Sequence, residues 1–523
     1  MPFARQPLKA IYVAQRLITT LLMIPFWVLY YALLPRRYRP RPSWSLKQIV
    51  TVNFTRRIYK VTEVAGVTWG TRNPEAACDN RTLQETRFEW IDPLPVELCT
   101  GIIADKHVPH KRVGVFVWPK HDPEARGPSK SSDVALNDPL DIEAAAGEVP
   151  LIGIFLHGGG YCHMSAHEKA GTSKIPRRLI RDNTLTKVYG VEYRLLQHAP
   201  FPAAVQDAAA VYAHIVRQHQ RHPLDSTSDT DPQIPGTKSE DPTEWDFLSP
   251  NDIPEAMRHD EENTKIKKHV TQAAQTMQCK IILIGDSAGG NLVLALARWI
   301  RDEGVLPLPD GLLLLSPSCD PSHAFPEAPS SYIPRPHAST DYLVDTPEPR
   351  ALLQRTFLGH NSIETMHSPY VSPASGRVLR AFYGDAFAES VQFLTIRQMD
   401  TIARENLRTM VSAPATPVPM TPMVDAGPEL ERSPTSLARP IIASPRGLSL
   451  FSDFPKTCVV LGDAERLERE VMRLVGAMER DGVSVRTVWV EDGVHDVLQM
   501  GWWDKVVINK VWEGIEGWLR DFN

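Results

Sequence analysis

Residues 281–291 read I-I-L-I-G-D-S-A-G-G-N, and L-V-L-A-L-A-R-W-I follows at once. The four leading apolar residues predict a short buried strand. Gly285, Asp286, Ser287, Ala288 and Gly289 fit G-x-S-x-G, and the run after them predicts a helix. Strand, sharp turn and helix in this order lift one serine hydroxyl above the carboxyl end of a sheet. The residues flanking such a turn must be small. The first turn of the helix favours negative charge beside the hydroxyl. Taken alone, the pattern also fits a Gly-rich turn with a capping serine, so the rest of the chain decides.

Upstream, L-I-G-I-F-L at 151–156 predicts a second buried strand, followed by His157-Gly158-Gly159-Gly160. Three glycines let a backbone approach a ligand with its N–H groups unshielded, as an oxyanion site requires. Gly158, Gly159 and Gly160, with Ala288 after the serine, are the candidate oxyanion donors. His157 is expected to shape this loop, and Asp286 to brace the turn. Downstream, G-L-L-L-L-S-P (311–317), T-C-V-V-L-G (457–462) and S-V-R-T-V-W-V-E (484–491) predict further strands. Helical runs separate them, near 167–182, 200–216 and 465–481. Strands alternating with helices predict a mainly parallel sheet covered on both faces. Ligands bind such sheets at the carboxyl ends of the strands.

His157, Ser287, Asp463, Glu465 and His495 all fall just after predicted strands. Any one of the 17 histidines is weak evidence, but His495 sits in a short loop after the last core strand. Histidine suits a general base because its ordinary pKa lies near neutral. Asp463 and Glu465 are two residues apart, and either could orient the imidazole while the other caps the next helix. The order serine, acid, histidine is the one an α/β hydrolase demands.

Together, H-G-G-G (157–160), E-Y-R-L…P-F-P-A-A-V-Q-D (192–207), G-D-S-A-G-G-N (285–291) and the late acid and histidine resemble the hormone-sensitive-lipase and arylacetamide-deacetylase group of α/β hydrolases. The N-terminal segment with R-P-R-P-S-W-S-L is similar to fungal membrane hydrolases of the steryl acetyl hydrolase type. The resemblance covers roughly 85–215, 275–375 and 455–520. It implies a serine esterase, lipase or deacetylase that needs no cofactor and no metal. In that group the acid stands in a D-P-L-x-D-E pattern. Here the pattern falls on Glu465-Arg466-Leu467-Glu468-Arg469-Glu470, which favours Glu465 and puts a glutamate where aspartate is usual. The implied chemistry is cleavage of short-chain acyl or acetyl esters of lipophilic alcohols such as sterols. Acyl transfer or peptide cleavage by the same residues, and a non-catalytic ligand-binding role, are the alternatives.

The 523 residues carry a net charge of −5, which gives no sign of nucleic-acid binding. Six scattered cysteines form no C-x-x-C pair and suggest neither a zinc site nor a disulfide framework. Residues 17–34 hold no charge, and with the apolar residues before Arg16 they reach about spanning length. The expectation is a single-pass signal anchor in the endoplasmic reticulum membrane. An in-plane helix, or one packed on the catalytic domain, is the alternative. Basic residues on both flanks leave the orientation open. The sequons at Asn53 and Asn80 are near chance for this length. The expected organisation is an anchor with a basic flank (1–44), a helical connector (45–84) and a catalytic domain (85–523). The polar and proline-rich stretches near 122–149, 221–268 and 405–450 read as insertions. The prolines of 321–349 are expected to lie over the site, and the tail tryptophans (502, 503, 512, 518) to be mostly buried.

Overall fold

The computed structural model describes residues 3, 5–121, 149–219, 279–325, 332–344, 356–390 and 448–522. The three expected insertions fall almost wholly outside these residues. Eight strands form one sheet in the order β1-β2-β4-β3-β5-β6-β7-β8. They are β1 (Arg87–Ile91), β2 (Val113–Trp118), β3 (Leu151–Leu156), β4 (Lys187–Glu192), β5 (Lys280–Asp286), β6 (Gly311–Leu315), β7 (Lys456–Gly462) and β8 (Val485–Val490). β2 runs antiparallel to β1 and β4; every other pairing is parallel. This is the sheet of an α/β hydrolase.

The central strands are apolar without interruption because both of their faces are covered. Side chains alternate between two cores. Ile152, Ile154 and Leu156 of β3 enter one core, and Leu151 and Phe155 enter the other. The first core is filled from α4 (Ala203–Gln218), α5 (Ala288–Glu303) and α8 (Glu468–Arg480). The second is filled from α3 (Lys174–Arg181) and α9 (Lys505–Leu519). Trp503, Trp512 and Trp518 are buried in the second core, with Trp502 packed against it. Cys279 and Cys458 are buried, and all six cysteines are free thiols. Two short helices, α6 (Gly376–Tyr383) and α7 (Asp385–Ser390), complete the described elements.

Register places the functional loops. Leu156 pairs with Gly285, so the glycine loop after β3 and the turn after β5 leave the sheet at one height. Leu315 pairs with both Asp286 and Val460, and Gly462 pairs with Val490. All the parallel carboxyl ends therefore open onto one edge.

The N-terminal region is more than a spacer. α1 (Leu8–Leu33) and α2 (Leu46–Ala65) form an antiparallel pair. Ser45 caps α2 in a reciprocal pair with Gln48. Trp44, Ile49 and Val52 lie in the second core, and the Trp44 ring meets Trp503 edge-on at 5.7 Å. Trp44 Nε1–H donates to the Asp492 carbonyl at 3.0 Å. The stretch expected as a connector is thus built into the catalytic body. Asn80 pairs its amide group with the Phe88 backbone in both directions, at 3.1 and 2.5 Å, which holds that sequon side chain against β1.

Candidate active site

Ser287 sits between β5 and α5 with φ 51° and ψ −116°, a strained conformation for a residue with a side chain. Two glycines make the turn possible. A Cβ at Gly285 would overlap the backbone of Gly289, and one at Gly289 would overlap the Leu156 carbonyl. The Ser287 N–H donates to the Leu315 carbonyl at 2.9 Å, which pins the turn to β6. The Ser287 hydroxyl then lies 2.9 Å from His495 Nε2.

His495 follows β8 and is buried. Of the two expected acids, Glu465 faces it: Oε2 stands 4.0 Å from His495 Nδ1, an electrostatic approach longer than a hydrogen bond. Glu465 is fully buried, and its Oε2 accepts from Ser316 Oγ at 2.7 Å. Burial pushes its carboxyl well above the usual range; the Ser316 hydroxyl opposes this and the Asp341 charge adds to it. Asp463 turns the other way. It accepts the Asp492 N–H at 2.7 Å and lies 3.7 Å from Arg41.

The glycine loop divides its amides. Gly158 lies against the Asp286 carboxylate, where a Cβ would overlap Oδ2, and it does not line the cavity. Of the three expected glycine donors, Gly158 is therefore the one the structure does not bring to the cavity wall. Gly159 and Gly160, with φ of 109° and 61°, line the cavity together with Ser287 and Ala288. Tyr161 fixes the loop to α5 by donating to Asn291 Oδ1 at 2.9 Å. His157 is fully buried, its Nδ1–H donates to the Gly158 carbonyl at 2.8 Å, and its ring stacks on Tyr193. Burial lowers its pKa to about 4. Asp286 braces the loop, accepting from Gln499 Nε2 as well, and burial raises its carboxyl to about 7.

Three contributors have no motif in the sequence. Asp496, next to the histidine, places Oδ2 3.2 Å from His495 Nε2. Burial and the neighbouring Asp286, Glu465 and Asp341 push its carboxyl well above the usual range. Asp341 is fully buried and accepts the N–H groups of Tyr342 and Arg466, each at 2.7 Å. α2 supplies Tyr59, Thr62 and Glu63 to the cavity wall. The only advance signal for Asp341 was its place in the proline-rich stretch expected over the site. Arg335, Tyr342, Leu343 and Val344 of that stretch do line the cavity.

The cavity encloses about 180 Å³, and its surface is mostly apolar. Leu196, Phe357, Met366 and Leu467 supply much of that surface. Among the described residues, no group of three or more His, Cys, Asp or Glu is arranged to hold a metal ion. The groups present can activate a hydroxyl, hold an imidazolium and bind an oxyanion.

Among curated proteins, no sequence matches this chain. Among solved structures, a bacterial heroin esterase is similar at 16% identity and TM-score 0.43, covering 85% of this chain and 87% of its own. An esterase/lipase from an uncultured bacterium is similar at 14% identity and TM-score 0.41, covering 95% and 98%. A hormone-sensitive lipase from a metagenome library is similar at 16% and 0.41, covering 79% and 83%. The fold assignment does not rest on these distant likenesses. It rests on the strand order and on residues 153–384, which match the family model described as alpha/beta hydrolase fold. That stretch runs from β3 past the turn after β5 to α6, and with the strand order it gives the chain the α/β-hydrolase fold.

Proposed function

We propose that this carboxylic ester hydrolase works through an acyl-enzyme, with Ser287 as nucleophile, His495 as general base and Glu465 as the acid serving it. The observation that carries the reading is the 2.9 Å contact between Ser287 Oγ and His495 Nε2 on the wall of an apolar cavity. Ser287 Oγ bonds to the ester carbonyl carbon while His495 Nε2 takes the hydroxyl proton. The oxyanion is received by the N–H groups of Gly159, Gly160 and Ala288, each donor contributing about 3 kcal/mol to the transition state. The carbonyl re-forms, the ester C–O bond breaks, and the imidazolium returns its proton to the leaving alcohol. Water repeats the sequence and frees the acid. Glu465 stabilises the imidazolium in both halves, and the buried pair titrates as a unit.

The substrate class is short-chain acyl or acetyl esters of lipophilic alcohols, with steryl acetates as candidates. The apolar cavity supports it, as does an apolar helix, α1, packed on the α2 wall of the site. Among the described residues α1 is the one helix long and apolar enough to cross a membrane. We place the enzyme at a membrane through α1, with the endoplasmic reticulum as the expected compartment.

The test is the full chain on p-nitrophenyl esters of graded length and on a steryl acetate. A burst of p-nitrophenol, greatest for short acyl groups, is expected. Ser287→Ala should lose about 10⁶ in kcat. Absence of turnover on every ester by folded enzyme would overturn the reading. Added alcohol appearing in the product would make the protein an acyltransferase through the same intermediate.

A further inference from the structure

Length and composition admit α1 as a spanning helix, but its packing argues for another placement. It is tied to the catalytic body near both ends and in the middle. At its start, Lys9 Nζ donates to the Gly66 carbonyl at 3.5 Å. Midway, Thr20 is fully buried and Arg57 of α2 donates to it at 3.0 Å and to Thr19 at 3.1 Å. Near its end, Tyr31 packs against the second core. Lys9 and Tyr31 stand about 33 Å apart along a helix rising ~1.5 Å per residue. This covers the full thickness of a hydrocarbon layer, about 30 Å.

A spanning α1 would therefore carry α2 into the hydrocarbon beside it. α2 holds Lys47, Arg56, Arg57 and Lys60. Arg56 is also fixed to the body, donating to the carbonyls of Asp341 at 2.7 Å and Ser339 at 2.9 Å. Such charges are expensive at membrane depth.

The opposite face of α1 is different. Ile11, Ile18, Leu22, Phe26, Leu29 and Leu33 are 56–76% exposed. At ~100° per residue they fall within an arc of about 80°. Thr20 and Tyr31, which meet the body, lie on the other side. The charge around this stripe has one sign. Residues 1–62 contain eleven Lys and Arg and no Asp or Glu. Arg5 and Lys9 flank one end of the stripe and Arg36, Arg37 and Arg39 the other. An apolar stripe set among cations fits the surface of an anionic bilayer.

We propose that α1 is a monotopic helix. It lies in the interface of one anionic leaflet, with the Ile11–Leu33 stripe in the acyl region and its other side on α2. α2 also forms a wall of the candidate site through Tyr59, Thr62 and Glu63. The lipid surface and the cavity are then separated by a two-helix layer, and an ester dissolved in the leaflet meets the enzyme at that wall. The inference deepens the membrane attachment proposed above and is independent of the esterase reading, because its readouts are blind to turnover.

The test uses the full chain in sealed microsomes. Phe3→Cys and Tyr38→Cys flank α1 and are challenged with a membrane-impermeant maleimide. The parent chain, whose first cysteine is Cys78, gives the background. Both positions should share one accessibility, labelled together before detergent or together only after it. Labelling of one before detergent and the other only after would make α1 a spanning helix and overturn the inference. Release of the whole protein by buffer alone would overturn the attachment itself. On vesicles, binding should strengthen when phosphatidylserine is added to phosphatidylcholine. Leu22→Glu with Leu29→Glu should weaken it at least about tenfold. Binding indifferent to both changes would also overturn the inference.

Discussion

The turn after β5 and the turn after β7 leave the same sheet edge, yet they are held in different ways. The nucleophile turn is shaped by its own backbone: Gly285 against Gly289, Gly289 against Leu156, and Ser287 at a positive φ. The acid turn is shaped by side chains from elsewhere. Thr340 Oγ1 donates to the Ala464 carbonyl at 2.9 Å, and the Asp341 carboxylate accepts the Arg466 N–H. Ser316 donates to Glu465, and Arg41 sits against Asp463. The first turn carries its geometry in five residues. The second draws its geometry from three distant segments. The nucleophile turn is held by backbone alone, its own and that of the adjoining strand ends at Leu156 and Leu315. The acid turn can be disturbed from a hundred residues away.

The largest test of this contrast separates the two carboxylates. Glu465→Gln keeps the Ser316 hydroxyl partnered but removes the charge that holds an imidazolium, and kcat should fall about 10⁴-fold. Asp463→Asn should change kcat less than about fivefold, because its contacts run to Arg41 and the Asp492 amide. Steady-state kinetics on p-nitrophenyl acetate decides. If Asp463→Asn is the more damaging change, the assignment of Glu465 fails.

That contrast also explains what could be read from the chain beforehand. The buried strands of a mainly parallel sheet, the nucleophile turn and the Gly159-Gly160 loop follow from local constraints. Buried parallel strands must be continuously apolar, and a turn without room for a Cβ must carry glycine. Local reasoning also narrowed the acid to a pair two residues apart. It grouped Gly158 with the oxyanion donors, because three glycines look alike until the fold sets one of them against Asp286 and away from the cavity. It gave no hint of Asp341, Asp496 or the α2 wall. Asp341 and the α2 wall depend on how segments 124 and 402 residues away in sequence come to rest against Glu465 and the site. For α1 the sequence likewise carried the apolar length of a candidate membrane helix and not its pairing with α2.

A smaller effect is expected at Asp341, whose two carboxylate oxygens accept the Arg466 N–H of the acid turn and the Tyr342 N–H of the cavity wall. An asparagine has one acceptor oxygen in place of two, so Asp341→Asn must release some of these amides. A displacement of the order of 1 Å between Glu465 and His495 should cost about a hundredfold in kcat. KM should barely move, since Asp341 does not line the cavity. A matched loss in KM would indicate a collapsed cavity rather than a misplaced pair. An unchanged kcat would show that the acid turn is self-supporting, like the nucleophile turn, and would remove the contrast.

The smallest effect is one of stability and tests how the glycine loop is held from outside. His163 stacks on Trp69 with ring centroids 4.0 Å apart, and its Nδ1 accepts the Trp69 N–H at 3.2 Å. This geometry uses the neutral ring, and burial lowers the pKa of the histidine to about 4. An unfolded chain would titrate it near 6.5. The contribution is therefore complete above about pH 6.5 and is lost as pH falls toward 4, reaching about 3 kcal/mol. His163→Asn offers an amide oxygen to the Trp69 N–H and carries no titrating ring. It should be less stable than the parent at pH 7 by about 1 kcal/mol, for the lost stack. Its further loss on acidification should be smaller than the parent's by about 3 kcal/mol. Some dependence should remain, because His157 is buried with its pKa lowered to the same region. Urea midpoints at pH 7 and pH 4 for the two proteins measure the difference. Parallel losses in both would mean that the His163 ring accepts a proton in the folded state as readily as in the unfolded one. The loop would then be held by the stack alone.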